Sequence, residues 1–326
     1  MLRTRATELF GIDHPVVLGG MGAATGTELV AAVSAAGGLG IMGCAGRDAA
    51  WILDAARGIR AATDRPFGLN LLLFEVEEEA LAAVLEARPR VFSTGWPWPD
   101  QDLRGYFSRA HDAGALVVHM VSSVSEARRA AAAGADAIVA QGTEGGGHVG
   151  LMTTLALVPQ VVRAVAPVPV LAAGGIATGE GLAAALALGA EGALLGTRFL
   201  ATPEAPIAAG FKQAVLDSDG HDTLLTEIPD IARGRVWPGA WSRVVRNRLI
   251  ETWAGREGDL RARRSEAGPA MQKAFRDGDA ANAPLFIGQE AGLIDALEPA
   301  GDVVRRLVRE AEAAIARLES LRAPSL

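Results

Sequence analysis

From residue 15 to about residue 200 the chain alternates between short apolar runs and longer amphipathic stretches. The runs fall at 15–18, 38–42, 67–72, 90–94, 115–120, 137–140, 168–172 and 192–195, each short enough and apolar enough for a buried strand. Between them, segments such as 27–36, 49–61, 76–87, 125–133 and 179–188 carry apolar residues at helical spacing. Strands that alternate with helices form right-handed parallel β-α-β units. Eight such strands predict an α/β fold of the (β/α)8 TIM barrel type; an open, doubly wound sheet of fewer strands is the competing arrangement. The pairs Ala36-Gly37, Ala113-Gly114, Ala133-Gly134 and Gly189-Ala190 each stand where a helix must stop before a strand. Glycine takes the left-handed helix-ending conformation at little steric cost.

After residue 202 the rhythm changes. Residues 211–283 read as polar and helical, with Trp237, Trp241, Trp253, several arginines and no clear strand. Residues 282–289 read as a loop returning to the barrel, and 302–321 as an amphipathic last barrel helix. The expected organisation is therefore a barrel made of 1–210 and 284–326, with 211–283 as a helical insert beside the substrate side. A length of 326 residues suits a barrel of about 250 residues with an appendage.

A net charge of −7 without a basic stripe argues against nucleic acid or an anionic membrane as partner. Cys44 is the sole cysteine, so neither an internal disulfide nor a cysteine-clustered metal site can form, and no metal is expected. The opening MLRTRATELFGIDHP lacks an apolar signal core, and no later run is long enough to span a bilayer. A cytoplasmic protein is expected, with a homodimer among the assemblies allowed.

Chemistry in a β/α barrel sits at the carboxyl ends of the strands. There, Gly174 and Gly175 close the seventh run before a helix opens near Thr178, and Gly196 and Thr197 close the eighth. Glycine lets anion oxygens reach backbone N–H groups and a helix amino terminus favours negative charge, so these two clusters point to a phosphate. Turn glycines without a ligand are the plainer alternative. After the first strand, Gly20, Met21 and Gly22 offer a floor without bulky side chains on which a flat ring could lie. Asn70 ends an apolar strand, where a buried amide requires a partner, either a ligand or a neighbouring barrel residue.

The segment 141–150, QGTEGGGHVG, holds five glycines and presents a single imidazole, His148, at the rim. Histidine is the side chain whose unperturbed pKa suits proton abstraction near neutral pH. His119, near the end of the fifth run, competes for that role, while His14, His111 and His221 occupy positions away from the chemistry.

Taken together, HPVVLGGMG, RPFGLNLLL, AIVAQGTEGGGHVG and VPVLAAGGIATGEGLAAALALGAEGALLGTRFLAT resemble the nitronate monooxygenase family, in order and spacing, over nearly the whole chain. The resemblance implies FMN as cofactor, a nitronate or nitroalkane as small-molecule substrate and dioxygen as electron acceptor. It implies that Gly20, Met21 and Gly22 line the flavin ring, that Asn70 and Gln141 bond its polar atoms and that Gly146 approaches through its backbone. Gly174, Gly175, Gly196 and Thr197 would grip the phosphate, with His148 as catalytic base. Flavin-dependent reductases that take hydride from NAD(P)H, of the enoyl-acyl-carrier-protein or quinone type, share these clusters and form the alternative. The chain departs from family branches that place a lysine near the end of the fifth strand, where Met120 stands, or several tyrosines round the substrate, since Tyr106 is the only one. Trp96, Trp98 and Trp237 are the candidates for the substrate wall instead.

Overall fold

The computed structural model describes residues 2–321; residue 1 and residues 322–326, assigned above to the barrel, lie outside the described residues. Eleven strands are described, and eight of them close into a parallel barrel. In chain order the strands are β1 (Val16–Leu18), β2 (Leu39–Gly43), β3 (Phe67–Leu72), β4 (Val91–Gly95), β5 (Leu116–Val121), β6 (Ala137–Gln141), β7 (Gly147–Val149), β8 (Val170–Ala173), β9 (Ala193–Leu195), β10 (Thr223–Thr226) and β11 (Trp241–Val245). The barrel runs β1-β2-β3-β4-β5-β6-β8-β9 and closes where Val16, Val17 and Leu18 pair with Ala193, Leu194 and Leu195. Each of the eight apolar runs became a barrel strand, and closure rules out the open sheet.

Strand alternation divides the core in two. Val17, Ile41, Val91, Val118, Val139, Leu171 and Leu194 point inward and fill the barrel, whereas Val16, Leu18, Val117 and Ile138 meet the helices outside. The helix Arg5–Phe10 plugs the amino-terminal end of the barrel, with Phe10 fully buried among the interior residues. Burial of such a side chain contributes about 1.5–3 kcal/mol. The glycines of the four Ala/Gly pairs, Gly37, Gly114, Gly134 and Gly189, all lie at positive φ, as helix termination requires. The helix Ala300–Ser320 packs on Gly179–Ala187 so closely that a Cβ on Gly179 would come within 2.2 Å of the Glu310 side chain. Only glycine fits there, and the Gly179 N–H donates to the Glu310 carboxylate at 2.9 Å.

The segment 211–283 departs from expectation. It is not purely helical: β10 and β11 pair antiparallel, and β11 pairs antiparallel with β7 from the glycine-rich rim segment. Residues 147–149 are therefore a strand rather than loop, with Ser242 opposite His148 and Arg243 opposite Gly147. The signal was hidden because β10 and β11 are short and only half apolar, and their burial comes from the helices Ile228–Arg233 and Arg264–Asp277 that pack beside them. Apolar alternation cannot reveal a strand whose faces meet other elements unevenly.

Candidate active site

The strand ends of β8 and β9 carry the glycine turns expected to meet an anion. Gly174 and Gly175 sit at φ +89° and +76°, which side-chain-bearing residues rarely adopt. A Cβ at Gly174 would lie 2.7 Å from the Gly142 carbonyl oxygen and 2.9 Å from the Gly145 nitrogen, so this turn nests against the 141–146 segment. Gly196 precedes the short helix Thr197–Leu200 and faces the Met21 sulfur, which a Cβ there would meet at 3.3 Å. The Gly175 N–H does point at an anion, and it is the protein's own: Glu290 Oε2, at 3.3 Å. The Thr197 hydroxyl also bonds this carboxylate and accepts from the Gly288 N–H at 3.0 Å. Glu290 is buried, and loss of solvation pushes its carboxyl up to about 7.

Across the rim, Gly20 packs directly on Asn70, whose Cβ would lie 2.6 Å from a Cβ at residue 20. The Asn70 amide nitrogen donates to the Ser93 carbonyl and hydroxyl at 3.2 and 3.1 Å, so half of its bonding capacity is met by the barrel, as the plainer alternative anticipated. Gln141 is buried, and its Oε1 has no partner. An orphaned buried acceptor invites a donor, such as a ring N–H. Gly146 is pressed against the segment returning from the insert, where a Cβ would meet the Ile287 carbonyl carbon at 2.5 Å.

His148 sits on β7, and pairing with β11 fixes its setting. Its Nε2 lies 2.9 and 3.1 Å from the two oxygens of Asp230, on the helix Ile228–Arg233. The Ser242 hydroxyl donates to Asp230 Oδ2 at 2.7 Å and lies 3.1 Å from Nε2. The imidazole stacks on Trp237 with centroids 3.4 Å apart, and Phe286 approaches at 5.7 Å. A carboxylate on Nε2 holds the proton there and leaves Nδ1 as the free lone pair. Among the described residues Nδ1 makes no hydrogen bond. Burial depresses the imidazole pKa below its usual 6.5, and Asp230 opposes that shift. The neutral form therefore prevails at neutral pH.

His119 shares the helix-facing side of β5 with Val117 and Val121, its Nδ1 lies 2.6 Å from the Thr94 hydroxyl, and burial pushes its pKa down to about 3. It is a neutral, buried imidazole that also borders a cavity beside β4 and β5. Glu144, the one acid in the rim segment, accepts from the Thr154 backbone N–H and hydroxyl and so caps the helix Thr154–Val165. Asp230, Ser242 and Glu290 were not foreseen. Asp230 follows a proline in a helix's first turn, where acids are common for electrostatic reasons alone, so its sequence carries no signal. Glu290 stands in GQEAG, where the flanking glycines were the available hint.

A cavity of about 520 Å³ opens beside β4 and β5, lined by Trp96, Trp98, Met120, Arg129, Trp237 and Pro238 among others. The three candidate tryptophans do converge. Trp96 holds φ +56°, a strained conformation for an aromatic residue that tends to mark functional sites.

A family model described as nitronate monooxygenase matches residues 3–83 and 76–310. The chain belongs to the nitronate monooxygenase family. Members and neighbours carry varied names. A Mycobacterium tuberculosis protein named (3aS,4S,5R,7aS)-5-hydroxy-7a-methyl-1-oxo-octahydro-1H-indene-4-carboxyl-CoA dehydrogenase is 40% identical over 253 residues, 77% of this chain and 68% of its own. FabK from Thermotoga maritima superposes with a TM-score of 0.89 at 34% identity, covering 99% of this chain and 100% of its own. A nitroalkane oxidase from Streptomyces ansochromogenes gives 0.84 at 31% identity, covering 96% and 99%. With these relatives the chain is an oxidoreductase. No described helix is long and apolar enough to cross a membrane.

Proposed function

We propose that the rim holds FMN and that His148 takes a proton from the substrate oxidised beside it. The observation that carries this reading is the His148–Asp230 pair, a buried imidazole with its proton held on Nε2 and its Nδ1 unbonded. The residues present suit FMN. Of the cradle residues Gly174, Gly175, Gly196 and Thr197, Gly175 and Thr197 already engage a carboxylate, and Gln141 offers an unpaired acceptor for a ring N–H. Gly20 and Gly22 leave the facing wall without side chains, Met21 packs its thioether against Gly196, and the Asn70 oxygen remains free to accept. Bound there, FMN would supply the electron acceptor, to be reoxidised by dioxygen.

The protein's own part is acid–base and positional. Nδ1 of His148 removes the proton α to a nitro group, and Asp230 stabilises the imidazolium that results. Trp237 and Phe286 hold the ring in place and keep water from it. The substrates so predicted are nitroalkanes and their nitronates.

A second reading is favoured by the cavity. About 520 Å³ with tryptophan walls exceeds what a short nitroalkane fills, and a relative is named as dehydrogenase of a bicyclic carboxyl-CoA. The same Nδ1 would take the hydroxyl proton while the hydride of the carbinol carbon would pass to FMN bound beside it. Anaerobic mixing of the full-length protein with a nitronate, an alicyclic alcohol or NADPH separates these readings through loss of flavin absorbance. Bleaching by the nitronate alone supports the first and bleaching by the alcohol the second, whereas rapid bleaching by NADPH would favour a reductase over both.

A further inference from the structure

We propose that Glu290 governs the strength and pH dependence with which the β8–β9 cradle takes the phosphate of FMN. The inference rests on the FMN reading above. The carboxylate occupies the place where that phosphate belongs: Gly175 N–H donates to its Oε2 at 3.3 Å and the Thr197 hydroxyl bonds it. These are the groups that a phosphate would use, and two anions cannot share them. The carboxylate must then either accept a proton or leave its donors.

Among the described residues no cation forms an ion pair with it. From β11, Arg243 exerts an attraction but donates its own hydrogen bonds to the Thr143 carbonyl and the Thr223 hydroxyl, at 2.7 and 3.1 Å. Glu144 is bound to Thr154. Arg198, on the helix Thr197–Leu200, donates to the carbonyls of Ala201 and Ala296 and pairs with Glu298 at 3.8 Å. On the helix Ala209–Asp217, Lys212 donates to the Pro203 carbonyl and Asp217 accepts from Gln213. Within Gln289–Leu293 Glu290 is the one charged residue. No ion pair to Glu290 forms among the described residues, and burial pushes its carboxyl up to about 7.

The direction follows by linkage. Below that value the group is neutral and yields its donors at small cost. Above it, each FMN bound requires uptake of about one proton, or displacement of an ionised carboxylate, so affinity falls by up to about tenfold per pH unit. The phosphate's own second ionisation near pH 6 acts in the opposite direction, since a fuller negative charge suits the cradle better.

The test titrates full-length protein with FMN and with riboflavin, following flavin fluorescence at about pH 6.5 and 8.5, for wild type, Glu290→Gln and Glu290→Asp. For wild type, the FMN Kd should weaken on the order of ten- to thirty-fold between the two pH values. For Glu290→Gln it should change less than about threefold, with FMN bound on the order of tenfold more tightly than wild type at the higher pH. Riboflavin, which has no phosphate, should bind alike at both pH values and in all three proteins. Glu290→Asp keeps the charge and should keep a pH response. If the glutamine variant does not fold, the contrast between FMN and riboflavin in wild type still decides. Equal pH responses of FMN in wild type and Glu290→Gln, or of FMN and riboflavin in wild type, overturn the inference while leaving the FMN reading intact. Failure to bind either flavin at either pH overturns both.

Discussion

His148→Asn should retain its flavin and lose roughly 10²–10⁴-fold in kcat/KM on a neutral nitroalkane, the usual contribution of a positioned acid–base group. The asparagine amide ends short of the place of Nε2, but the Ser242 hydroxyl still donates to Asp230, so the buried carboxylate keeps a donor. What disappears is the basic lone pair on Nδ1. A preformed nitronate has already lost its α-proton, and its turnover should fall far less. Kinetics on both substrate forms, normalised to flavin content, check this. Equal losses on the two forms would sink the base role and make His148 a packing residue beneath Trp237.

Asp230→Asn should come next in size, with a loss on the order of 10–10³-fold in kcat at near-constant flavin content, since the residue acts through His148. The amide can offer its N–H to Nε2, which drives the imidazole proton to Nδ1 and leaves the working nitrogen without a lone pair; a comparable tautomer error in serine proteases costs about 10⁴-fold. A pH profile distinguishes this from simple loss of structure. Burial lowers the His148 pKa and Asp230 raises it, so removing the carboxylate depresses it further. Base catalysis requires the neutral imidazole and fails as pH drops through its pKa. The acidic limb of kcat/KM, expected below pH 6.5 in wild type, should therefore move to still lower pH in the variant. An unmoved limb with an unchanged rate would contradict the positioning role.

The barrel was legible because its strands are buried on both sides. Runs such as FGLNLL and LVVHMV owe their apolar character to a core inside the barrel and another under the helices, so the pattern survives without context. The glycines of the rim were legible for a similar reason: Gly174 and Gly175 occupy a turn that other residues would strain. Asp230 and Ser242 were not. Each comes from a stretch whose local pattern is ordinary, and they meet His148 across 82 and 94 residues only because β7 pairs with β11. Antiparallel pairing of short, half-polar strands leaves no period to read. Gly146 shows the converse limit. Its glycine is visible in the sequence, but the close neighbour that excludes a side chain is Ile287 of the returning segment.

The most direct measurement is the visible spectrum of the purified full-length protein, followed by identification of what heat releases from it. Flavin absorption bands and one FMN per chain are the expected result for a glycine-lined rim with Gln141 and the Gly174–Gly175 turn turned toward the cofactor. A colourless protein that takes up no added FMN, at a pH low enough to neutralise Glu290, would contradict it.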